Sequence, residues 1–280
     1  MSKNEKLYIH EYIDIVGHHR ADYMYHMTAN FSPMGQEDRN QLCYGVWGVL
    51  GSTGRWPEVV NIWELDGFDA AADYFRFEVS GATMQDPRMA KWWAAAVPMR
   101  SGGNDRLLVP APWMSTINEA CEAGMGGELY AHDQIAVRPG SAPEFLELVR
   151  EEATSVHAAR GWTLAGAWYS AMADESECFL LWAIRSWEAW ASLEQSQRND
   201  DALASWNESA RTMRTSMRRI LLIDAPLCPF KTGRQPRRSD RVSAWEEGNG
   251  QSGDGAHGAA ESRSSRKAED SFGNDVPLNL

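Results

Sequence analysis

The sequence is short of cysteine and of the motifs that hold metals or nucleotides. Four cysteines stand far apart among 280 residues, and no C-x-x-C pair occurs. Free thiols in a reducing cytoplasm are expected, because disulfides persist mainly in oxidising compartments. The sequence has no H-E-x-x-H, no G-x-G-x-x-G after a strand and no G-x-x-x-x-G-K-[ST] loop. These patterns bind zinc, dinucleotides and phosphates. We therefore expect no metal and no cofactor.

Long apolar runs and an excess of positive charge are also lacking. No stretch approaches the roughly 20 apolar residues that span a bilayer. The N-terminal MSKNEKLYIHEY has no apolar run behind its charges, so a signal peptide is not expected. The net charge is −12, and the last 50 residues are neutral with eight basic and eight acidic residues. The acidic body repels phosphate groups, so nucleic acid and membrane are not expected as partners.

Tryptophan is abundant, and the C-terminal segment differs in composition from the rest. The 13 tryptophans supply large rings with one N–H donor each, so several are expected to line a cavity. From residue 231 onward, Gly, Ser and charged residues replace the periodic apolar ones. Such a segment buries too little surface to offset the entropy of ordering it. The sequence therefore predicts a disordered tail over 231–280.

The body is a tandem repeat. LYIHEYIDI at Leu7–Ile15 matches LYAHDQIAV at Leu129–Val137, and the tripeptide GVW at 45–47 matches GAW at 166–168. Each copy reads as a strand, a helix, two strands around a turn, a second helix and a final strand. This β-α-β-β-α-β order is the ferredoxin-like unit. The sequence predicts an α+β fold of two such repeats, over 6–118 and 127–228, which bury their bare sheet faces against each other.

These features resemble the dimeric α+β barrel superfamily in a fused two-repeat form, and within it the NIPSNAP-like branch. The resemblance is carried by the strand–helix opening over 7–27, the hairpin ending in Asn61-Ile62-Trp63-Glu64, and the Trp-bearing second helices. It implies a pseudo-dimeric barrel. The superfamily contains cofactor-free monooxygenases, isomerases and lyases, haem enzymes, and proteins without known chemistry, so the resemblance does not select a reaction. Haem is not expected here, because its candidate ligand His157 aligns with nothing distinctive.

The first strand has two different faces. One face is aliphatic apart from Glu11 and is expected to pack under helices. The other carries Tyr8, His10, Tyr12 and Asp14 and is expected to point into the barrel, as does its counterpart in the second repeat. Tyr8, His10 and Tyr12 are therefore candidates for acid–base catalysis. The alternative is a set of hydrogen-bonded interior residues without chemistry.

The first helix of repeat one is unusually polar. Its sequence GHHRADYMYHMTANF places Tyr23, His26 and Asn30 on one stripe, at i, i+3 and i+7. Tyr23 and His26 are further acid–base candidates, and Arg20, which has no counterpart in repeat two, is a candidate for binding a carboxylate. A purely structural or exposed histidine is the alternative.

The first hairpin carries a long turn, GVLGSTGRWPE, where repeat two has the plain AMADESE. Its glycines predict positive φ or a close approach of the backbone, and Arg55 offers a planar fork suited to a carboxylate. Asn61 is expected to reach the barrel interior, which places Glu58 on the opposite face, and Trp47 is expected to contact the substrate. Pairing of Arg55 with a surface acid is the alternative.

Together these residues predict a soluble, cytoplasmic, cofactor-independent enzyme that binds a small aromatic or otherwise apolar carboxylic acid between the two repeats. The expected reaction is that of a carbon–carbon lyase of the decarboxylase type. A cofactor-free monooxygenase or isomerase is one alternative, and a non-catalytic ligand-binding or scaffold protein is another. Both a complete monomer and a homodimer paired through edge strands remain open.

Overall fold

Eight antiparallel strands close into one barrel, and each repeat contributes four of them. The computed structural model describes residues 3–82 and 84–241. The strands follow the order β1-β3-β2-β8-β5-β7-β6-β4 around the barrel. This confirms the predicted pair of ferredoxin-like repeats in a pseudo-dimeric α+β barrel. The strands are β1 Leu7–Ile15, β2 Leu42–Val49, β3 Glu58–Leu65, β4 Arg100–Pro110, β5 Leu129–Val137, β6 Trp162–Ser170, β7 Glu177–Ile184 and β8 Arg214–Asp224.

Helices cover the outer face of this barrel. In both repeats the first helix is interrupted by a π-helical turn, His26–Phe31 between α1 and α2 and Val149–Ala153 between α6 and α7. No helix among the described residues is long and apolar enough to cross a membrane. The helices are α1 Arg20–Tyr25, α2 Ser32–Arg39, α3 Gly67–Glu78, α4 Ala90–Ala96, α5 Ile117–Glu122, α6 Ala142–Leu148, α7 Thr154–Ala158, α8 Trp187–Ser196, α9 Asp201–Arg211 and α10 Pro229–Thr232.

The repeats join by pairing strands rather than by stacking two open sheets. β2 pairs with β8 from Trp47 opposite Asp224, and β4 pairs with β6 from Leu108 opposite Ser170. Every described strand therefore has a neighbour on both sides. The pairing of β4 with β6 covers three residues, so residues 100–107 of β4 pair with β1 alone among the described strands. The expected homodimer through edge strands stays a prediction.

A glycine two residues before a tryptophan shapes the second strand of each repeat. The pairing of β2 with β3 shifts by one residue between Cys43 and Gly45, and β6 shows the same shift before Gly166. A Cβ at Gly45 would stand 2.0 Å from the ring of Trp47, and a Cβ at Gly166 only 1.8 Å from the ring of Trp168. Only glycine leaves room for the indole to fold back over its own strand.

The glycines of the long turn act by close packing rather than by unusual dihedral angles. None of Gly48, Gly51 and Gly54 has a positive φ, and the residue in that region is Ser52, with φ 71°. A Cβ at Gly54 would lie 2.8 Å from Ile220. The predicted close approach is therefore present at Gly54, and its partner is a side chain of the other repeat.

Three segments are more ordered than the sequence predicts. The short apolar runs at 107–109 and 220–223 predict two brief final strands, but both strands extend over eleven residues. Their first halves are polar, so they carry no apolar alternation that would mark a strand. Residues 231–241 are ordered as well, because Gln235 hydrogen-bonds both the N–H and the carbonyl of Cys43 at 2.9 Å. The remainder of the expected tail, 242–280, lies outside the described residues.

Candidate functional site

Strand β1 separates two groups of polar residues, one inside the barrel and one beneath the helices. Tyr8, His10, Tyr12 and Asp14 face inward, as predicted. Glu11 lies on the opposite face and points toward the helix layer, where it meets Asn61 of β3 and Asp105 of β4. Each side has a cavity, and the sequence-predicted residues are divided between them.

Aromatic rings fill one end of the barrel interior. The ring of Tyr8 makes edge contacts with Tyr44 and Trp168 at centroid distances of 5.3 and 5.6 Å. Trp47 packs in the same way against Tyr130, at 5.8 Å. The hydroxyl of Tyr8 donates to Glu64 at 2.9 Å. Tyr8 and Trp47 are both fully buried. Both side chains therefore pack in the aromatic core, and the expected contact of Trp47 with substrate stays a prediction.

A histidine pair crosses the middle of the barrel and joins the two repeats. The Nε2 atoms of His10 and His132 lie 2.9 Å apart, and His132 Nδ1 is 3.0 Å from the carbonyl of Leu180. That carbonyl can only accept, so His132 carries its proton on Nδ1 and accepts at Nε2 from His10. His10 Nδ1 is then an acceptor that faces Arg106 at 3.5 Å. Burial lowers the pKa of both imidazoles, so both are neutral near pH 7.

A polar cavity of about 400 Å³, here called the mouth cavity, opens at the other end of the barrel interior. Both repeats line it, as the sequence predicts for a site between them. Tyr12 lies at its wall, and Arg55 reaches it from the long turn, where it pairs with Asp14 at 3.2 Å. The full lining is Tyr12, Asp14, Arg55, Glu58, Gly103, Asn104, Arg106, His132, Gln134, Arg218 and Ile220.

The lining of the mouth cavity corrects three sequence-based assignments. Glu58 faces inward opposite Asp14, and Asn61 faces the helices, so the predicted faces of β3 are reversed. Arg20 does not reach the cavity, since its guanidinium donates to the carbonyl of Val49 at 2.8 Å outside the barrel. Ile220 is the one aliphatic side chain in the lining. This cavity therefore suits a hydrophilic ligand better than the apolar acid that was expected there.

The second cavity, here called the helix-side pocket, has a volume of about 220 Å³ and contains the carboxyl of Glu11. Oxygen Oε2 of Glu11 accepts hydrogen bonds from Asn61 Nδ2 at 2.8 Å and from Trp63 Nε1 at 3.0 Å. Asn61 also approaches the hydroxyl of Tyr23, at 3.4 Å. One carboxyl oxygen is thus held by the sheet, and no hydrogen bond among the described residues engages the other, Oε1. Asn61, Trp63 and Tyr23 position this carboxyl.

Burial and a like-charged neighbour raise the pKa of Glu11 to about 7. Removal from water is the larger cause, and repulsion by Asp105 on the adjacent strand adds to it. The hydrogen bonds from Trp63 and Asn61, together with the positive charge of Arg100, act in the opposite direction. Partial removal of its carboxyl from water likewise raises the pKa of Asp105, a residue that is exposed as a whole. Near neutral pH, Glu11 can therefore both accept and release a proton, as acid–base catalysis requires.

In repeat two the acid at the position of Glu11 is paired with an arginine. Asp133 occupies the place of Glu11 and accepts a hydrogen bond from Trp182 at 3.0 Å, as Glu11 does from its own tryptophan. Opposite Asp133 stands Arg219, which makes two hydrogen bonds of 2.6 and 2.8 Å to its carboxylate. Repeat one has Asp105 at the position of Arg219. The acid at this position thus pairs with an arginine in repeat two and faces a like-charged residue in repeat one.

The helix-side pocket is completed by an aromatic wall, by two arginines, Arg39 and Arg100, and by two further acids, Glu78 and Asp86. Arg39 pairs with Asp86 at 3.0 Å. Trp92, Trp93 and Phe31 line it on the helix side. Arg100 lies at its edge, with its guanidinium 5.7 Å from the Trp93 ring. Among the described residues, no carboxylate lies within 4.0 Å of this guanidinium. A flat anionic ligand could therefore stack on the indoles and pair with Arg100.

His26 and Tyr23 support this pocket from behind its wall. The His26 ring stacks on Trp92 at 5.1 Å, and its Nε2 donates to the Trp92 carbonyl at 3.2 Å. Its Nδ1 accepts from the amide of Asn30 at 3.0 Å. Both ring nitrogens are thus engaged, and burial lowers the pKa of His26. The structure does not give His26 the position of a general base that the sequence predicted, and Tyr23 reaches the pocket only through Asn61.

Glu11 is not among the site residues predicted from the sequence, although its position on an aliphatic strand face indicates an unusual acid. Glu11 is the one charged residue on the aliphatic face of β1, and Asp133 repeats that pattern in β5. An acid on a face that packs under helices is costly to bury unless it is paired or functional. Asp105 could not be paired with it from sequence, because the polar first half of β4 was not predicted to be a strand.

Comparisons with known proteins agree with this architecture. No protein-family model and no curated protein matches the chain. An anthrone oxidase-like protein of known structure shares 7% identity, with a TM-score of 0.56 over 80% of this chain and 93% of that one. A monooxygenase-like protein from Lactobacillus acidophilus shares 11% identity, with a TM-score of 0.52 over 84% of this chain and 97% of that one.

NIPSNAP proteins match over a shorter length. An uncharacterized NIPSNAP domain protein from Burkholderia xenovorans shares 18% identity and covers 36% of this chain and 97% of its own, with a TM-score of 0.32. At these identities the anthrone oxidase-like and monooxygenase-like matches establish architecture rather than activity. The chain therefore has the fold of the dimeric α+β barrel proteins, with both halves of the barrel in one polypeptide.

Proposed function

We propose that this protein is an enzyme that removes a proton from a small aromatic acid in the helix-side pocket, with Glu11 as the base. The observation that carries the proposal is the contrast between the two repeats. Glu11 faces Asp105 and has a pKa of about 7, whereas Asp133 is locked to Arg219. A partly buried acid that is held on one oxygen and has a pKa near 7 suits the role of a general base.

The pocket favours an aromatic substrate with an anionic group. The rings of Trp92, Trp93 and Phe31 offer flat apolar contacts, and Arg100 offers a charge-assisted hydrogen bond to a carboxylate. Arg100 and Glu11 line the same pocket, so an anion paired with Arg100 would hold the aromatic body in the cavity that contains the carboxyl of Glu11. The expected substrate class of the sequence analysis is thus retained, but its site moves from the barrel interior to this pocket.

The first candidate reaction is a cofactor-independent oxygenation. Glu11 removes a proton from an acidic CH₂ group conjugated to the ring, and the resulting carbanion spreads its charge over the aromatic system. Molecular oxygen takes up this electron pair and forms a C–O bond, which gives a peroxide anion that Glu11 reprotonates. Loss of water then leaves a carbonyl, so the balance is CH₂ + O₂ → C=O + H₂O. The monooxygenase-like and anthrone oxidase-like neighbours support this choice.

A lyase of the decarboxylase type, the reaction that the sequence favours, is the second candidate. It is supported by Asp105 on the strand beside Glu11, since nearby negative charge disfavours a substrate carboxylate and assists loss of CO₂. Here the C–CO₂ bond breaks, its electron pair passes into the ring, and protonated Glu11 delivers a proton to carbon. This route consumes no oxygen.

A panel of hydroxylated aromatic acids, assayed for oxygen uptake and for CO₂ release, tests the proposal and separates the two reactions. Glu11→Gln keeps the size and the hydrogen-bond acceptor of the side chain but cannot take up a proton. We expect its kcat to fall about 100-fold or more. The matched control is Glu151→Gln, an exposed residue of repeat two, which should leave kcat unchanged.

Arg100→Gln tests the binding role separately and should raise KM more than it lowers kcat. Oxygen uptake without CO₂ release identifies the oxygenase, and the reverse identifies the lyase. A folded Glu11→Gln variant that turns over every accepted compound at the wild-type rate would refute the role of Glu11. If no compound of the panel is consumed, the assignment of an aromatic acid substrate is wrong.

A further inference from the structure

The geometry points to a second ligand site, in the mouth cavity, for a small hydrophilic organic anion that carries two or more carboxylate groups. This site is separate from the helix-side pocket, because it lies on the inner face of the sheet while Glu11 lies on the outer face. It does not depend on the proposed enzymatic activity. Both repeats supply its charged groups, so a ligand bound there would bridge the two halves of the chain.

Three arginines from three different segments converge on the cavity. Arg106 comes from β4, Arg218 from β8 and Arg55 from the long hairpin turn. Arg55 is engaged with Asp14, and Arg106 lies 4.0 Å from Glu177. Among the described residues, Arg218 has no carboxylate within 4.0 Å, although it is close enough to Glu58 to lower the pKa of that acid. Arg218 is therefore the cation most available to an incoming anion.

Two aromatic rings and the side chain of Asn104 fix the position of the Arg106 guanidinium. This guanidinium lies over the rings of Phe179 and Tyr12, at 5.0 and 5.5 Å, and donates to Asn104 at 3.0 Å. It also faces Nδ1 of His10 at 3.5 Å. Because both imidazoles of the histidine pair are neutral, the floor of the cavity adds no charge. Such a preorganised guanidinium binds a carboxylate at a smaller entropic cost than a free one.

The acids of the cavity are compensated in different ways. Asp14 is held by Arg55, and Glu177, which is not part of the lining, accepts a hydrogen bond of 2.6 Å from the lining residue Gln134. Burial is the main cause that raises the pKa of Glu58, and repulsion by Asp14 adds to it. Protonation of Glu58 makes the cavity more positive, so binding of a polyanion should strengthen as the pH falls toward the ordinary range of a carboxyl group.

The chemistry of the lining selects the ligand class. The amides of Asn104 and Gln134 and the hydroxyl of Tyr12 can bind hydroxyl and carboxylate oxygens, and Ile220 is the one aliphatic contact. A flat apolar acid would leave these groups without partners, which costs free energy. A short hydroxylated di- or tricarboxylate matches both the arginines and the amides, and a cavity of about 400 Å³ accommodates it.

Calorimetric titration and thermal unfolding with citrate, malate, inorganic phosphate and benzoate test the site. Citrate and malate should bind and raise the unfolding temperature, and benzoate should bind at least about tenfold more weakly. Arg218→Gln should weaken citrate binding about tenfold or more. Its control, Arg211→Gln, removes an exposed arginine of the same repeat outside the cavity and should leave citrate binding unchanged.

Each remaining outcome counts against the site or redefines its ligand. Equal weakening by the two arginine variants would show that citrate responds only to overall charge, and the proposed site would be wrong. Tight binding of phosphate with weak binding of malate would overturn the carboxylate assignment. Absence of binding by all four compounds at millimolar concentration would refute the site. Unliganded unfolding curves establish that both variants are folded.

Discussion

Glu11→Gln should remove a pH dependence from the stability of the folded protein. The variant keeps an oxygen that can accept from Asn61 and Trp63, so the local hydrogen bonds of 2.8 and 3.0 Å survive. What it loses is the ability to ionise in a place where ionisation is unfavourable. The wild-type protein should therefore lose stability relative to the variant as Glu11 becomes charged.

The direction and size follow from the pKa. Glu11 has an ordinary value of 4.5 in the unfolded chain and about 7 in the folded protein. Below pH 4.5 both states hold the proton, and the full stability is present. Between pH 4.5 and 7 the unfolded chain releases its proton first, so stability falls as the pH rises. The gap between these two pKa values corresponds to about 3 kcal/mol of folding stability. This loss is complete once the pH exceeds about 7.

Urea unfolding at a series of pH values from 4 to 8.5 measures this effect. The quantity of interest is the free energy of unfolding of Glu11→Gln minus that of the wild type, because other titrating groups cancel in the difference. It should rise by about 3 kcal/mol across the range, and the exposed control Glu151→Gln should show a flat difference. A flat difference for Glu11→Gln as well would refute the buried, repelled carboxyl on which the proposed function rests.

Three further predictions follow from individual contacts. Asp105→Asn removes the negative neighbour of the base, so the rise of kcat/KM with pH should move to lower pH; an unchanged profile would contradict the coupling. His10→Leu leaves Nε2 of His132 without a donor and should cost about 1–3 kcal/mol in urea unfolding. Adding His132→Leu should cost less than the sum of the single changes, and simple additivity would argue against the pair. Gly45→Ala drives a Cβ into an indole and should destabilise the fold by about 1–3 kcal/mol. Gly51→Ala, which meets ordinary contacts at 3.6 Å, should stay within about 0.5 kcal/mol in the same thermal or urea assay.

The fold was predictable because the evidence for it is local and occurs twice. The alternation in β1 and β5 is regular, and the predicted bounds of these strands agree with the structure. The inward face of β1 was also predictable, since tyrosine and histidine alternate there with aliphatic residues. Closure of the barrel was available only through the resemblance, because pairing of β2 with β8 joins residues more than 170 positions apart and leaves no pattern in a single sequence.

The faces of β3 could not be read from its own residues. Every residue from Glu58 to Leu65 is buried, so the strand has no polar side to mark the solvent. Its orientation is fixed by its register with β1, in which Trp63 lies opposite Ile9 and Glu64 opposite Tyr8. The match of Trp63 with Trp182 in the repeat does not determine which way β3 faces. Both indoles are buried, and each donates to an acid on the helix side of the barrel.

The physical difference between the repeats is concentrated at one pair of facing positions. In repeat two a bidentate arginine compensates the buried acid, a pairing that any stable fold can use. In repeat one removal from water makes the carboxyl of Glu11 costly to ionise, and the negative charge of the facing Asp105 adds to that cost. A structural acid gains nothing from such a neighbour, whereas a base that must exchange protons near pH 7 needs one. We therefore expect catalysis in the helix-side pocket of repeat one rather than in the corresponding pocket of repeat two, where Asp133 is paired with Arg219.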